Sequence, residues 1–163
     1  MQFASRTIAS AVRCSARLPA ARSFSQTSAA RGIFAEHINS TRGTTKEMSP
    51  ADLNAKLVEN PAGGTGGLHL LDVREPYEWN EEKIPQATYT GRGMLEATLE
   101  TRFPNVNDQY VLYCASGARS ALAANALTEM GYKNVYSLRG GISGWKNEGF
   151  VTTQNFRNVG GFR

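Results

Sequence analysis

One stretch constrains this chain more than any other: "YVLYCASGARSALAANALTEM", Tyr110 to Met130. Tyr110 to Tyr113 is apolar or aromatic, with Val111 and Leu112 at its middle, and reads as a short buried strand. After Cys114 come four small residues, Ala115-Ser116-Gly117-Ala118, and a helix opens at Arg119 and Ser120. Its apolar face is expected at Ala123, Ala126, Leu127 and Met130, the i, i+3, i+4, i+7 spacing. A thiol at that junction meets unpaired N–H groups and the positive end of the helix dipole. Such surroundings favour thiolate over thiol and bind an anion beside it. A plain core cysteine also fits a strand end, since free cysteine is among the most buried residue types. The glycine-containing turn and the arginine five positions on favour chemistry.

The rest of the chain narrows that chemistry. The net charge of +4 suggests a polyanion partner until its location is considered. Arg6, Arg13, Arg17, Arg22 and Arg31 precede the first acid, Glu36, and leave 13 basic residues against 14 acidic ones after them. The excess charge therefore belongs to a leader and not to a nucleic-acid surface. Cys14 lies in the same leader, so Cys114 is alone in the body, with no second thiol to pair with or to resolve it. His37 and His69 are the only histidines and lie far from it in sequence, which excludes a structural zinc site. No metal and no cofactor is expected. No run approaches the ~20 apolar residues that a membrane span needs.

Residues 1–31 are rich in Arg, Ser and Ala, the composition of a mitochondrial transit peptide. On a helical wheel Arg6, Arg13 and Arg17 fall opposite Ala4, Ile8, Ala11 and Val12, as in an amphipathic import signal. Cleavage is expected either after Phe24 or, in two steps, before Phe24 and after Arg31, with the matrix as destination. Residues 32–43 show no periodicity and read as a linker. The folded domain spans 44–150, and 151–163 is a polar tail with no evident share in the core.

Within the domain, Thr45 to Met48 suits a short first strand. Ser49-Pro50-Ala51-Asp52 starts a helix as N-cap, N1 and a near capping box, with Leu53, Leu57 and Val58 on one face. "GGTGG", Gly63 to Gly67, is a loop; a strand follows it rather than a Lys-Ser/Thr and a helix, so it is no phosphate loop. "LHLLDV" is a second buried strand with Asp72 and Arg74 at its carboxyl end, where open α/β sheets place ligand sites. A short acidic helix from Pro76 should pack Tyr77 and Trp79 on the sheet. A weak strand at Ala87 to Tyr89, a helix from Met94 to Arg102 with Leu95 and Leu99 inward, a strand from Val135 to Leu138 and a last helical turn around Trp145 complete the body. Alternating strands and helices imply a largely parallel sheet covered on both faces.

"LLDVREPYEW", "CASGARSALAA" and "VYSLRGGISGW" together resemble a single-domain rhodanese, a sulfurtransferase. They are similar to its DVRE segment, its C-x-x-G-x-R-S loop and its closing G-G-x-x-x-W element, in order, across nearly all of 44–150. The resemblance implies a five-stranded, mainly parallel sheet with helices on both faces. It also implies a cradle of backbone N–H groups from Ala115, Ser116, Gly117, Ala118, Arg119 and Ser120 around Cys114. Where many family members have Gly-His-Ile-Pro-Gly-Ala, this chain has Glu82-Lys83-Ile84-Pro85-Gln86-Ala87, which puts the local geometry near the third strand in question.

The activity so implied is transfer of a sulfane sulfur from thiosulfate, or a small persulfide donor, through a Cys114 persulfide. Glutathione, a thioredoxin-type dithiol or cyanide each qualify as acceptor. Arg119 is expected to organise the loop against Asp72 or Glu75, and Asp72 to fix the geometry of that loop rather than act as a base. Arg92 and Arg139 are candidates for the dianion's entrance, with a solvated surface role equally open. Trp145 and the Gly140-Gly141 turn read as structural. Two rivals stand beside this reading. A cysteine phosphatase or arsenate reductase has a longer C-x5-R loop than the C-x4-R here, and a non-catalytic rhodanese-like module typically lacks the cysteine. The oligomeric state is open.

Overall fold

The computed structural model describes residues 29–63 and 67–154. Residues 1–28 of the expected leader and most of the Gly63–Gly67 loop therefore lie outside the described residues, and residues 29–31 already belong to a helix. Five strands form one parallel sheet: β1 (Glu47–Met48), β2 (Leu68–Asp72), β3 (Thr88–Tyr89), β4 (Gln109–Tyr113) and β5 (Asn134–Leu138). Their spatial order is β1-β5-β4-β2-β3, so the chain reverses direction across the sheet between β2 and β4. Such a reversal leaves a crevice at the carboxyl ends of the strands.

β4 is the central strand, and its residues alternate between two cores. Tyr110, Leu112 and Cys114 face one side, with Leu71, Val73 and Val135 from neighbouring strands. Leu95 and Leu99 of α4 (Leu95–Arg102) and Ala123, Ala124 and Leu127 of α5 (Ala118–Glu129) cover that side. Val111 and Tyr113 face the other side, with Leu68, Leu70 and Leu138. There Leu53 and Leu57 of α2 (Pro50–Glu59) and Ile142 and Trp145 of α6 (Gly141–Asn147) close the core. Two-sided burial explains the continuous apolar runs of β2 and β4.

The local starts follow the sequence. Ser49 caps α2, accepting from the Asp52 N–H at 3.1 Å, with Pro50 in the first turn. Its apolar face is narrower than expected: Leu53 and Leu57 are buried, but Val58 is 76% exposed. Val58 is 100° around the helix from Leu57, far enough to leave the contact stripe. Tyr77 in α3 (Pro76–Glu81) is likewise exposed, and only Trp79 turns inward, tilted against Tyr89 with Lys83 over its ring.

Two segments depart from the sequence reading. Residues 32–43, expected as a linker, belong to a helix, α1 (Ala29–Thr44), which buries Ile38 and Thr41 and packs on α5. The tail is anchored at its start. Thr153 forms an antiparallel bridge with Lys83, Thr152 donates to Glu82 and the Trp145 indole donates to the Val151 carbonyl at 2.8 Å. Gln86, where the family pattern has glycine, takes φ 66°, a left-handed conformation that a side chain adopts only at some cost.

Candidate active site

Cys114 directly follows β4, in step with Tyr110 and Leu112, so its side chain points under the first turn of α5. It is 1% exposed. Gly117 at φ 91° turns the chain there, and its backbone N–H donates to Cys114 Sγ at 3.2 Å. The first intrahelical bond of α5 runs from Ala121 N–H to the Gly117 carbonyl. The N–H groups of Ala118, Arg119 and Ser120 precede it and lack a helical acceptor, the arrangement that helix starts offer to anions. The Ser120 hydroxyl lies 3.7 Å from Sγ and is fixed by a 2.8 Å hydrogen bond with Ser137 Oγ on β5.

Why the N–H groups turn inward is visible from the other side of the loop, where the carbonyls are taken. The Cys114 carbonyl accepts from Ile142 N–H at 2.9 Å and the Ala115 carbonyl from Ser143 N–H at 3.1 Å. The Ser116 carbonyl accepts from Arg42 Nη2 at 3.1 Å. Three successive carbonyls are thus drawn away from the thiol by the start of α6 and the end of α1. The Gly140-Gly141 turn permits that approach: a Cβ on Gly141 would collide with the carbonyl oxygens of Cys114 and Ala115. These glycines are structural, as expected, and what they shape is the loop around Cys114.

Arg119 is not held by Asp72 or Glu75. It makes two hydrogen bonds to Glu78 of α3, at 2.7 and 2.9 Å. Glu78 also accepts the Glu75 backbone N–H at 3.0 Å, so one carboxylate both caps α3 and grips the loop. The Arg119 bond holds the Glu78 carboxyl below its ordinary range against the opposing effect of burial. Glu78, and next to it the Cys114 side chain, push the Arg119 guanidinium up, and the group carries its full charge beside the sulfur, as any arginine does. Asp72, expected to fix the loop around Cys114, instead meets Arg74, Thr90 and Gly91. It is fully buried, accepts from the Arg74 backbone and guanidinium at 2.7–3.0 Å, and its own carbonyl holds Thr90 and Gly91.

The remaining sequence candidates sit in ion pairs. Arg92 meets Glu96 four residues on, and Arg139 meets Glu47 at 3.3 Å. Sequence reasoning missed Glu78, Arg42, Ser137 and the two α6 donors. The "EPYEW" segment contains Glu78 three residues after Glu75, the spacing of a capping box, but nothing in it announces a partner 41 residues away. A backbone donor leaves no residue-type signal at all.

The Rhodanese-like domain family matches residues 50–148, from α2 through α6. The chain belongs to that family. The YtwF protein of Bacillus subtilis is 36% identical to this rhodanese over 103 residues, 63% of this chain and 92% of its own length. A sulfurtransferase of Allochromatium vinosum is 32% identical over 98 residues, 60% of this chain and 90% of its own. The polysulfide-sulfur transferase of Wolinella succinogenes, solved as a homodimer, is 28% identical with a TM-score of 0.64, covering 79% of this chain and 93% of its own. The relatives named as sulfurtransferases support sulfur transfer at the level of the family.

Proposed function

We propose that this rhodanese moves a sulfane sulfur from thiosulfate, or a related small persulfide donor, through a persulfide on Cys114 to an acceptor. The acceptor is a thiol such as glutathione or a thioredoxin dithiol, or cyanide. The observation that carries this reading is the loop whose carbonyls are tied outward while the Gly117 N–H meets Sγ at 3.2 Å. The Cys114 thiolate attacks the outer sulfur of thiosulfate, the S–S bond breaks, and its electron pair leaves on sulfite. The new terminal sulfur carries the negative charge, which the preformed N–H groups stabilise without reorganising. An acceptor thiolate then attacks that outer sulfur, and Cys114 leaves as the thiolate, ready for the next donor. Arg119, held by Glu78, keeps a positive charge beside the site in both steps.

A recessed thiol suits this chemistry. A donor presents one terminal sulfur to the loop, whereas a phosphoryl group presents several oxygens on a larger head. Assaying the full chain with thiosulfate plus cyanide and, separately, with an aryl phosphate tests the reading. Thiosulfate turnover abolished by Cys114→Ser is expected. Phosphate-ester turnover would move the protein to the phosphatase class, and no turnover of either would move it to the non-catalytic modules.

We further propose that residues 1–31 direct the chain to the mitochondrial matrix and are removed there in whole or in part. A cut after Phe24 or after Arg31 leaves Ile38, Thr41 and Arg42 in the mature chain. N-terminal sequencing of the organelle-derived protein checks this, and a mature chain that begins at Met1 would contradict it. Among the described residues no helix is long and apolar enough to cross a membrane.

A further inference from the structure

Arg42 occupies the last turn of α1, eight residues before the family match begins. Its Nη2 donates to the Ser116 carbonyl, and a Cβ on Gly117 would lie 3.2 Å from the same nitrogen. The guanidinium therefore rests directly on the peptide that joins Ser116 to Gly117. That peptide has two ends. Its carbonyl accepts from Arg42, and its N–H is the one that donates to Cys114 Sγ. The unit is planar and trans, so holding the oxygen on one side aims the hydrogen at the other. A charged donor on the carbonyl also polarises the peptide and strengthens its N–H.

Arg42 is itself held in place. Ile38 and Thr41, on the preceding turn, are buried, and Arg42 Nε lies 3.9 Å from Glu47, whose other oxygen meets Arg139. Arg139, a sequence candidate for an entrance charge, thus belongs to the outer support of this arrangement. Nε has no hydrogen-bond partner, which leaves the Ser116 carbonyl as the acceptor that orients the group.

We infer that Arg42 is a positioning residue for the sulfur-carrying loop, and that α1 is part of the transfer apparatus. This rests on Cys114 as the sulfur carrier. It acts through Gly117 and does not itself touch the donor. Its removal lets the Ser116–Gly117 peptide rotate and withdraws an N–H group from the sulfur on which charge accumulates.

The test compares Arg42→Met, which keeps the stem's packing, with Arg42→Lys, which keeps a charged donor, in the full chain. Alkylation of Cys114 by iodoacetamide needs no sulfur donor and reads the loop alone. Arg42→Met should slow it roughly tenfold and lower kcat/KM for thiosulfate in step, with the thermal midpoint unchanged. Arg42→Lys should recover most of both. If the methionine and lysine variants match the wild type, or fall equally, the inference is overturned, because neither donor nor charge then matters. If the wild type itself fails to turn over thiosulfate, the proposed function falls, while the alkylation series still decides the role of Arg42.

Discussion

Arg119 faces Glu78 across two hydrogen bonds of 2.7 and 2.9 Å, from the first turn of the helix behind the sulfur to the first turn of α3. The pair joins residues that are 41 positions apart and sets the position of a guanidinium beside the Cys114 side chain. Because Arg119 is 35% exposed, solvent screening keeps the coupling between the two at about 1 kcal/mol. A double-mutant cycle of Arg119→Ala and Glu78→Gln on chemical unfolding should return that value. Turnover should fall more sharply, about tenfold in either single variant, since each leaves the loop's arginine absent or unaimed.

Acid should undo the same clamp. Glu78 has its carboxyl lowered in the folded chain, chiefly by the Arg119 hydrogen bond. The stability it contributes is therefore complete above the ordinary carboxylate range and is lost as pH falls through the depressed folded value. Unfolding curves should show a gap between wild type and Glu78→Gln that is full at about pH 6 and closes toward about pH 3. A gap that persists unchanged at the acid end would mean that Glu78 stabilises through packing and not through its charge.

The contrast between Arg119 and its partner shows what the sequence carries and what it does not. Strand β4, Cys114 and the start of α5 are legible because periodicity and small residues are local signals. Asp72 and Arg74, two residues apart, meet each other as a strand end dictates. The face of α5 was only half legible. Ala123 and Leu127 are buried as expected, yet Met130 is exposed and Ala121 and Ala124 are buried in addition. Ala124 joins the core beside Leu95 and Leu99 of α4, while α1 packs on α5 as well, so more than one stripe of the helix is covered. Helix α1 left little trace in the sequence: Ile33 and Phe34 are exposed, no acidic residue opens it, and Ile38 alone among its large apolar residues is buried. Contacts made by backbone N–H groups, as from Ile142 and Ser143, are silent in residue identity.

Gly141 offers a sharper test of the loop's shape than any side chain. Its φ of 59° and the carbonyls of Cys114 and Ala115 both oppose a Cβ there. Gly149 has a comparable φ of 83° with nothing within 4 Å of a Cβ. Gly149→Ala should therefore cost only the left-handed conformation, about 1–2 kcal/mol, and leave transfer intact. Gly141→Ala should destabilise by more than this and lower turnover by at least about a hundredfold, because α6 can no longer draw the loop's carbonyls aside. Equal behaviour of the two variants would remove α6 from the account.

The central claim is that sulfur rests on Cys114 between two separate half-reactions. Intact-protein mass spectrometry after exposure to thiosulfate alone reads it directly. The account predicts a protein heavier by one sulfur atom, the added mass confined to the peptide that contains Cys114, stable until glutathione or cyanide removes it. Thiosulfate consumed only when acceptor is present, with no sulfur-loaded protein at any stage, would contradict it.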